Sequence, residues 1–297
     1  MSPFPFSSQD RNGSPFSSPA PITAAEYEFI RQIVYEHSRI NLGPSKKELV
    51  MARLSKRLRA LNLNGYSDYI NMLRTPAGKD EMTNLIDSIS TNHTYFFREP
   101  QHFDFLTQVV LPQFCEQDGA KRGATSGTFK VWSAATSSGE EPYTISLLLD
   151  DYFSRIRGWN WNILCTDIST RVLAKAQEGI FSKDRLGPVR PDWLQRYFDK
   201  GVGESEGFYR VKPELRRNLS FRALNLLAPS YPFRDSFQVV FLRNVMIYFD
   251  RETQEELVNK IYPLIQPGGY LIIGHAESLT NVKHPFKLVK PSIYRKA

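Results

Sequence analysis

Cysteine is nearly absent from this chain, with two residues, Cys115 and Cys165, in 297. Both lie in apolar surroundings and make no metal-ligand spacing, so free buried thiols are expected rather than a disulfide framework or a metal site. Long hydrophobic runs are missing too. No stretch reaches the roughly 18 apolar residues of a membrane span, and the first residues lack the charged-then-apolar pattern of a secretory leader, so a soluble, intracellular protein is expected. Histidine is sparse: His93, His102, His275 and His284 are scattered, and none forms a visible base–carboxylate pair. Acidic residues are outnumbered, 31 against 38 basic, giving a formal net charge of +7. That balance favours an acidic partner without saying whether it is nucleic acid, lipid or protein.

What is present divides along the chain. Residues 1–21 are rich in Ser, Pro and Gly and read as a disordered tail. From Ile22 to Ser90 the pattern is helical, with segments predicted at Ala24–His37, Lys46–Leu61, Tyr66–Arg74 and Lys79–Ser90. In the second helix Val50, Met51, Leu54, Leu58 and Leu61 share one side. Arg53, Lys56, Arg57 and Arg59 spread over the other with no acid among them, which makes either a solvated face or a docking surface for an acidic partner. Residues 91–127 read as a linker with a lead-in helix, Gln101–Gln117.

The stretch Phe129–Tyr143, FKVWSAATSSGEEPY, reads as a short buried strand, a small-residue loop and a helix resuming at Pro142. Such a turn brings backbone amides and a helix N-terminus close to a ligand, as at the first βα turn of doubly wound sheets. The loop has one glycine where the dinucleotide fingerprint has three, and Glu140 and Glu141 at the helix start would repel a phosphate. A ligand carrying a cation fits better. The second predicted strand, Asn160–Ile168, ends on Asp167, where an acid either accepts two hydrogen bonds from vicinal ribose hydroxyls or caps the next helix, Thr170–Gln177. Between Phe181 and Leu224 the periodicity weakens, and Tyr209–Val211 and Leu219–Phe221 look like short antiparallel strands of an insertion near 200–222. Asn225-Leu226 follows at the end of Leu219–Leu224, where a third core strand would deliver a polar group beside the ligand. A fourth strand, Phe237–Leu242, runs into Arg243-Asn244. Helix Arg251–Ile265, the turn Pro267-Gly268-Gly269, a fifth strand, Tyr270–Gly274, and a closing antiparallel pair complete the chain.

This order resembles a class I S-adenosylmethionine-dependent methyltransferase, whose cofactor carries the sulfonium cation that the Glu-containing turn calls for. STNHTYFFRE, VWSAATSSGEEPYT, CTDIS, the β insertion, NLL and LRNVMIYF narrow the resemblance to the chemotaxis receptor methyltransferase family, CheR. The resemblance covers residues 24–297. It implies an α/β fold: a class I methyltransferase Rossmann-like sheet at 128–297, a small all-helical N-terminal domain and an inserted antiparallel β subdomain. It also implies a protein-glutamate O-methyltransferase that uses S-adenosylmethionine, releases S-adenosylhomocysteine and needs no metal. The matching cofactor residues are Asn92, Thr94, Arg98, Glu140, Asp167, Asn225, Leu226, Arg243 and Asn244, with Arg98 and Tyr248 at the reaction centre. Arg53, Lys56, Arg57 and Arg59 would engage the acidic helical bundle of a chemoreceptor, and the β insertion would engage the receptor, possibly through its C-terminal peptide. A cytoplasmic protein recruited to membrane receptor arrays follows. Two other readings stay open: a nucleic-acid methyltransferase, although Arg243-Asn244-Val245-Met246 departs from the Asn/Asp-Pro-Pro-aromatic turn of base amino-methyltransferases, and a non-catalytic S-adenosylmethionine-binding scaffold.

Overall fold

A computed structural model of the chain describes residues 20–76, 78–90, 93–117, 127–234 and 236–297. The expected tail up to residue 19, residues 118–126 of the linker and the cofactor contact expected at Asn92 lie outside the described residues. The chain divides into two compact units. One holds the N-terminal helices together with Tyr248–Asp250, and the other holds residues from 93 to Ile247 and Arg251–Ala297.

In the helical unit, α1 (Ala24–Ser38) starts where Thr23 and Glu26 cap each other: Glu26 N donates to Thr23 Oγ1 at 3.2 Å and Thr23 N to Glu26 Oε2 at 2.8 Å. Tyr27, Ile30 and Val34 recur at helical spacing and are buried. Helix α2 (Lys47–Ala60) buries Val50, Leu54 and Leu58 in the same way. Helices α3 (Tyr66–Leu73) and α4 (Gly78–Ile89) close the unit, α4 through Met82, Leu85, Ile86 and Ile89.

The polar side of α2 differs from the evenly exposed basic face that the helical pattern suggests. Arg57 turns inward: its Nε donates to Glu81 Oε1 at 2.7 Å and its Nη2 to Glu81 Oε2. Tyr69 OH and Asn84 Nδ2 also donate to this carboxylate, at 2.8 and 3.1 Å. A buried carboxylate needs a counter-charge and hydrogen bonds, and Glu81 takes both from across the bundle. Burial pushes the Glu81 carboxyl up, but the bonds from Arg57, Tyr69 and Asn84 outweigh it and hold the group below its ordinary value. Arg53 donates to the Ile89 carbonyl at the end of α4. Lys56 and Arg59 are exposed.

The second unit carries a seven-stranded sheet. Its strands are β1 (Gly127–Ser133), β2 (Trp159–Asp167), β6 (Leu219–Ala223), β7 (Phe237–Leu242), β8 (Ile265–Ile273), β9 (Lys287–Lys290) and β10 (Ile293–Arg295), in the order β6-β2-β1-β7-β8-β10-β9. The first five in that order run parallel, while β10 pairs antiparallel to β8 and β9 antiparallel to β10. This is the α/β class I methyltransferase architecture. All six residues of β7 are buried, as expected for a parallel strand covered on both faces. The order reverses between β1 and β7, so the loops after these two strands open at the switch point where doubly wound sheets bind ligands.

Several elements extend beyond the sequence pattern or shift from it. Helix α6 (Glu140–Phe153) begins two residues before Pro142, because proline is tolerated in the first turn and the acids there complement the helix dipole. The lead-in helix begins as α5 (Gln101–Phe105) and continues through π-helical turns at Leu106–Val110 and Gln113–Gln117. Gly268 and Gly269 lie inside β8, at a register irregularity against β7, rather than in a turn preceding the strand.

The small antiparallel sheet is built from β3 (Ile180–Ser182), β4 (Phe198–Lys200) and β5 (Phe208–Val211), so β5 lies within 200–222 while β3 and the start of β4 lie upstream of it. Of the two expectations for Leu219–Phe221, a strand of the insertion or the start of a core strand ending at Leu224, the structure shows the second: it belongs to β6 of the main sheet, with Leu219 facing Ile163 and Ala223 facing Asp167. Its parallel partner lies more than 50 residues upstream, and no local pattern marks such a pairing.

Candidate functional site

The carboxyl ends of β1, β2, β6 and β7 lie side by side. At the end of β1, Ala134 N donates to the Phe241 carbonyl at 2.8 Å and Thr136 N to the Thr166 carbonyl at 2.9 Å, so the loop is pinned to the strands on both sides. The loop then turns through Ser137 (φ 53°) and Gly139 (φ 105°). A Cβ on Gly139 would meet Ala176 of helix α7 (Thr170–Glu178) at 3.1 Å, so the loop's single glycine serves both the backbone conformation and close packing.

Asp167 is 8% exposed at the end of β2. Its Oδ2 accepts from Ser137 N at 2.8 Å and its Oδ1 from Ser169 N at 2.9 Å. The cap of α7 is Ser169, whose Oγ accepts from Val172 N at 3.3 Å, and not Asp167. The Asp167 carbonyl accepts from Leu224 N at 2.9 Å, which brings Asn225 and Leu226 to the same end of the sheet. There Asn225 Oδ1 accepts from Leu227 N at 2.9 Å, and Leu226 is buried.

The two acids at the start of α6 do not stand as bare negative charges. Glu140 is fully buried, is ion-paired with Arg185, and accepts from Ser138 Oγ at 2.7 Å. Glu141 accepts from Ser133 Oγ at 2.8 Å and pairs with Arg243 Nη1 at 2.9 Å.

Arg243, just past β7, is the hub of the site. Its Nη2 reaches Glu99 Oε2 at 3.1 Å and also donates to the Arg98 carbonyl. Asn244, in the left-handed region at φ 58°, donates from Nδ2 to Glu99 Oε1 at 3.3 Å. Burial pushes the Glu99 carboxyl up, but the charge and hydrogen bond of Arg243 and the amide of Asn244 win and hold it low. Beneath the turn, the buried Glu277 accepts from Asn244 N at 2.9 Å, Met246 N at 2.7 Å and Gly274 N at 2.6 Å. Burial raises the Glu277 carboxyl, and these backbone bonds offset only part of the rise.

The segment His93–Glu99 is fixed from the same side. Phe97 N donates to Thr144 Oγ1 of α6 at 3.2 Å, and Phe96 is fully buried. The Arg98 guanidinium, half-buried, donates to the His93 carbonyl at 2.7 Å, and Thr94 is half-buried nearby in sequence. The structure thus links Arg98, Glu140, Asp167, Asn225, Leu226, Arg243 and Asn244 through the ends of adjacent strands. Tyr248 falls in the helical unit, where its carbonyl accepts from Asn41 N at 2.9 Å. Ser133, Ser137, Arg185 and Glu277 support the site without any motif in the sequence to mark them individually. Glu99 lay unremarked inside the FFRE run. His102 also has an acidic neighbour that the sequence did not reveal, with Nδ1 3.4 Å from Glu99 Oε2.

The acceptor groups at this end of the sheet fit a nucleoside ligand. A buried carboxylate stands where ribose hydroxyls would be received, Asn225 and Leu226 border the neighbouring strand end, and the two carboxylates at the helix start are each paired with an arginine.

The chain is similar to known proteins over most of its length. Residues 92–295 match the family model described as CheR methyltransferase, SAM binding domain, and residues 25–90 match CheR methyltransferase, all-alpha domain. A "Chemotaxis protein methyltransferase" of Escherichia coli (strain K12) is 39% identical over 273 residues, covering 92% of this chain and 91% of that protein. A relative of the same name from Borreliella burgdorferi is 38% identical over 286 residues, covering 96% and 99%. "Chemotaxis protein methyltransferase 2" of Pseudomonas aeruginosa is 32% identical over 291 residues, covering 95% and 100%.

Proposed function

We propose, from the premise that this chain belongs to the CheR methyltransferase family and uses S-adenosylmethionine, that it methylates glutamate side chains on the acidic helical cytoplasmic domain of a chemoreceptor. The products would be a glutamate γ-methyl ester and S-adenosylhomocysteine. The observation that supports the cofactor side of this reading is Asp167, a largely buried carboxylate at the end of β2 that is held against the first βα turn by Ser137 N.

In this assignment Asp167 receives the ribose hydroxyls and Asn225 and Leu226 flank the adenine. Asn92, Thr94, Arg98, Glu140, Arg243 and Asn244 complete the cofactor contacts. Bound S-adenosylmethionine supplies an electrophilic methyl group on a sulfonium. A glutamate side chain has an ordinary pKa of about 4.3, so the acceptor is already an anion near pH 7 and no general base is required. The task left to the protein is to strip water from that carboxylate and align it, and such positioning can lower a barrier by about 7–11 kcal/mol. Arg98 and Tyr248 are assigned to orientation and electrostatics rather than proton transfer. The Glu99–Arg243–Glu141 bridge supports this role by holding the backbone of Arg98 in place.

The net charge of +7 and the exposed Lys56 and Arg59 suit docking to an acidic helical surface. Among the described residues no helix is long and apolar enough to cross a membrane, so the reading requires recruitment to receptors in the membrane rather than insertion. Incubation with methyl-labelled S-adenosylmethionine and receptor cytoplasmic fragments tests the proposal. Base-labile label on the receptor is expected. Base-stable label, label on nucleic acid, or cofactor binding without transfer would each overturn it.

A further inference from the structure

We propose that Glu99, His102 and His275 form a binding site for a divalent transition-metal ion of the zinc class, and that the ion competes with Arg243 for Glu99. The ligand atoms of the three side chains lie within 4.8 Å of one another. Two histidines and one carboxylate are a set that zinc takes, with a further position open to water.

His102 supplies the second observation. It is 1% exposed, yet neither of its ring nitrogens has a hydrogen-bond partner. Burying a polar group unpaired costs free energy, and nothing in the apolar packing of α5 requires an imidazole there. Its Nδ1 faces Glu99 Oε2 at 3.4 Å without hydrogen-bond geometry. Zinc bonds of about 2.0–2.1 Å in a tetrahedron place ligand atoms roughly 3.4 Å apart, so this pair already has the separation of two ligands on one ion. His275 is exposed on the turn after β8, with its ring centroid 4.6 Å from that of His102, and its side chain can swing to close the third bond.

The same Glu99 oxygen is held by Arg243 at 3.1 Å. An ion with two positive charges beside that guanidinium is unfavourable, so occupancy must loosen the Arg243–Glu99 bridge. Zinc would then weaken binding at the cofactor site, and by reciprocity the bound cofactor would weaken zinc by the same factor. This second consequence rests on the cofactor site proposed above, whereas direct ion binding does not.

Equilibrium dialysis of the full chain with zinc chloride, paired with calorimetry of S-adenosylhomocysteine with and without zinc, tests both parts. The expected result is one ion per chain, lost in His275→Ala and in His102→Gln, with weaker S-adenosylhomocysteine binding in zinc for the parent protein but not for His275→Ala. His275 lies on the surface, so its variant keeps the test valid if His102→Gln fails to fold. No ion bound, or binding that survives His275→Ala, overturns the site. Ion binding with unchanged S-adenosylhomocysteine affinity overturns the competition. Failure of S-adenosylhomocysteine to bind in the absence of zinc counts against the functional reading instead.

Discussion

Arg243 and Glu141 join the strand after the switch point to the helix after the first strand, with Nη1 to Oε2 at 2.9 Å and the arginine side chain only 2% exposed. The contact matters because the other amino group of the same guanidinium holds Glu99 and the backbone of Arg98. One side chain therefore sets the spacing between three segments of the proposed cofactor site.

Replacing Arg243 by Ala leaves two largely buried carboxylates without their shared cation. Removing one partner of a buried ion pair typically costs about 3–5 kcal/mol. Thermal unfolding should show that loss, and calorimetry should show weakened S-adenosylhomocysteine binding. Arg243→Lys keeps the charge but cannot span both carboxylates, so it should recover part of the stability and little of the affinity. Full recovery of both by Lys would contradict the bridging role.

Asp167→Asn tests the ribose assignment. The amide keeps one acceptor oxygen but sets an NH2 group against either Ser137 N or Ser169 N, both of which donate to the native carboxylate. A hydrogen bond to a charged group contributes about 1.5–3 kcal/mol, so S-adenosylhomocysteine should bind roughly ten- to a hundredfold more weakly, with KM for the cofactor raised more than kcat is lowered. An unchanged dissociation constant would place the ribose elsewhere.

On α2, three of the basic residues should separate into two behaviours. Arg57→Ala strips the buried Glu81 of its cation, and the helical unit should lose up to about 3–5 kcal/mol, less to the extent that Arg57 is itself one-quarter exposed. Lys56→Glu and Arg59→Glu should change stability by no more than about 0.5 kcal/mol, yet slow receptor methylation at low salt. Equal unfolding midpoints for Arg57→Ala and the parent protein would refute the structural role of Arg57. Unchanged methylation by the two exposed variants would refute docking through this face.

His102 makes stability depend on pH. Its folded value is held down to about 3 against an ordinary value of 6.5, first by burial and then by the charge of Arg243. Between these values the unfolded chain binds a proton that the folded chain does not, so stability falls as pH drops from about 6.5. Glu81 and Glu99, both held low, contribute stability that fades only below their unfolded value of about 4.5. His102→Gln should therefore show a shallower decline in melting temperature between pH 6.5 and 5 than the parent protein. Parallel pH profiles would show that His102 takes no part.

Much of the architecture follows from local pattern. The helices of the N-terminal unit were legible because Tyr27, Ile30 and Val34, or Val50, Leu54 and Leu58, repeat at helical spacing between turn residues. The strand ending on Asp167 was legible because an apolar run stops at an acid ahead of a helix signal. Leu219–Ala223 fits both an insertion strand and a core strand in the sequence, because its burial depends on β2 and a short strand carries no mark of its partner. Arg57 was read as facing solvent because a helical wheel shows which side a residue is on, not whether its long side chain folds back across the bundle.

By itself the sequence determined the order of elements, the α/β class and the family, since these depend on residue spacing and contiguous motifs. Only the tertiary structure decided how charge is disposed at the site. Arg57 meets Glu81 across 24 residues, Arg185 meets Glu140 across 45, and Arg243 meets Glu141 and Glu99 across 102 and 144. Periodicity reports what faces the core within one element, whereas a buried ion pair requires two elements to arrive at one place, and that meeting is set by the packing of the sheet and its helices.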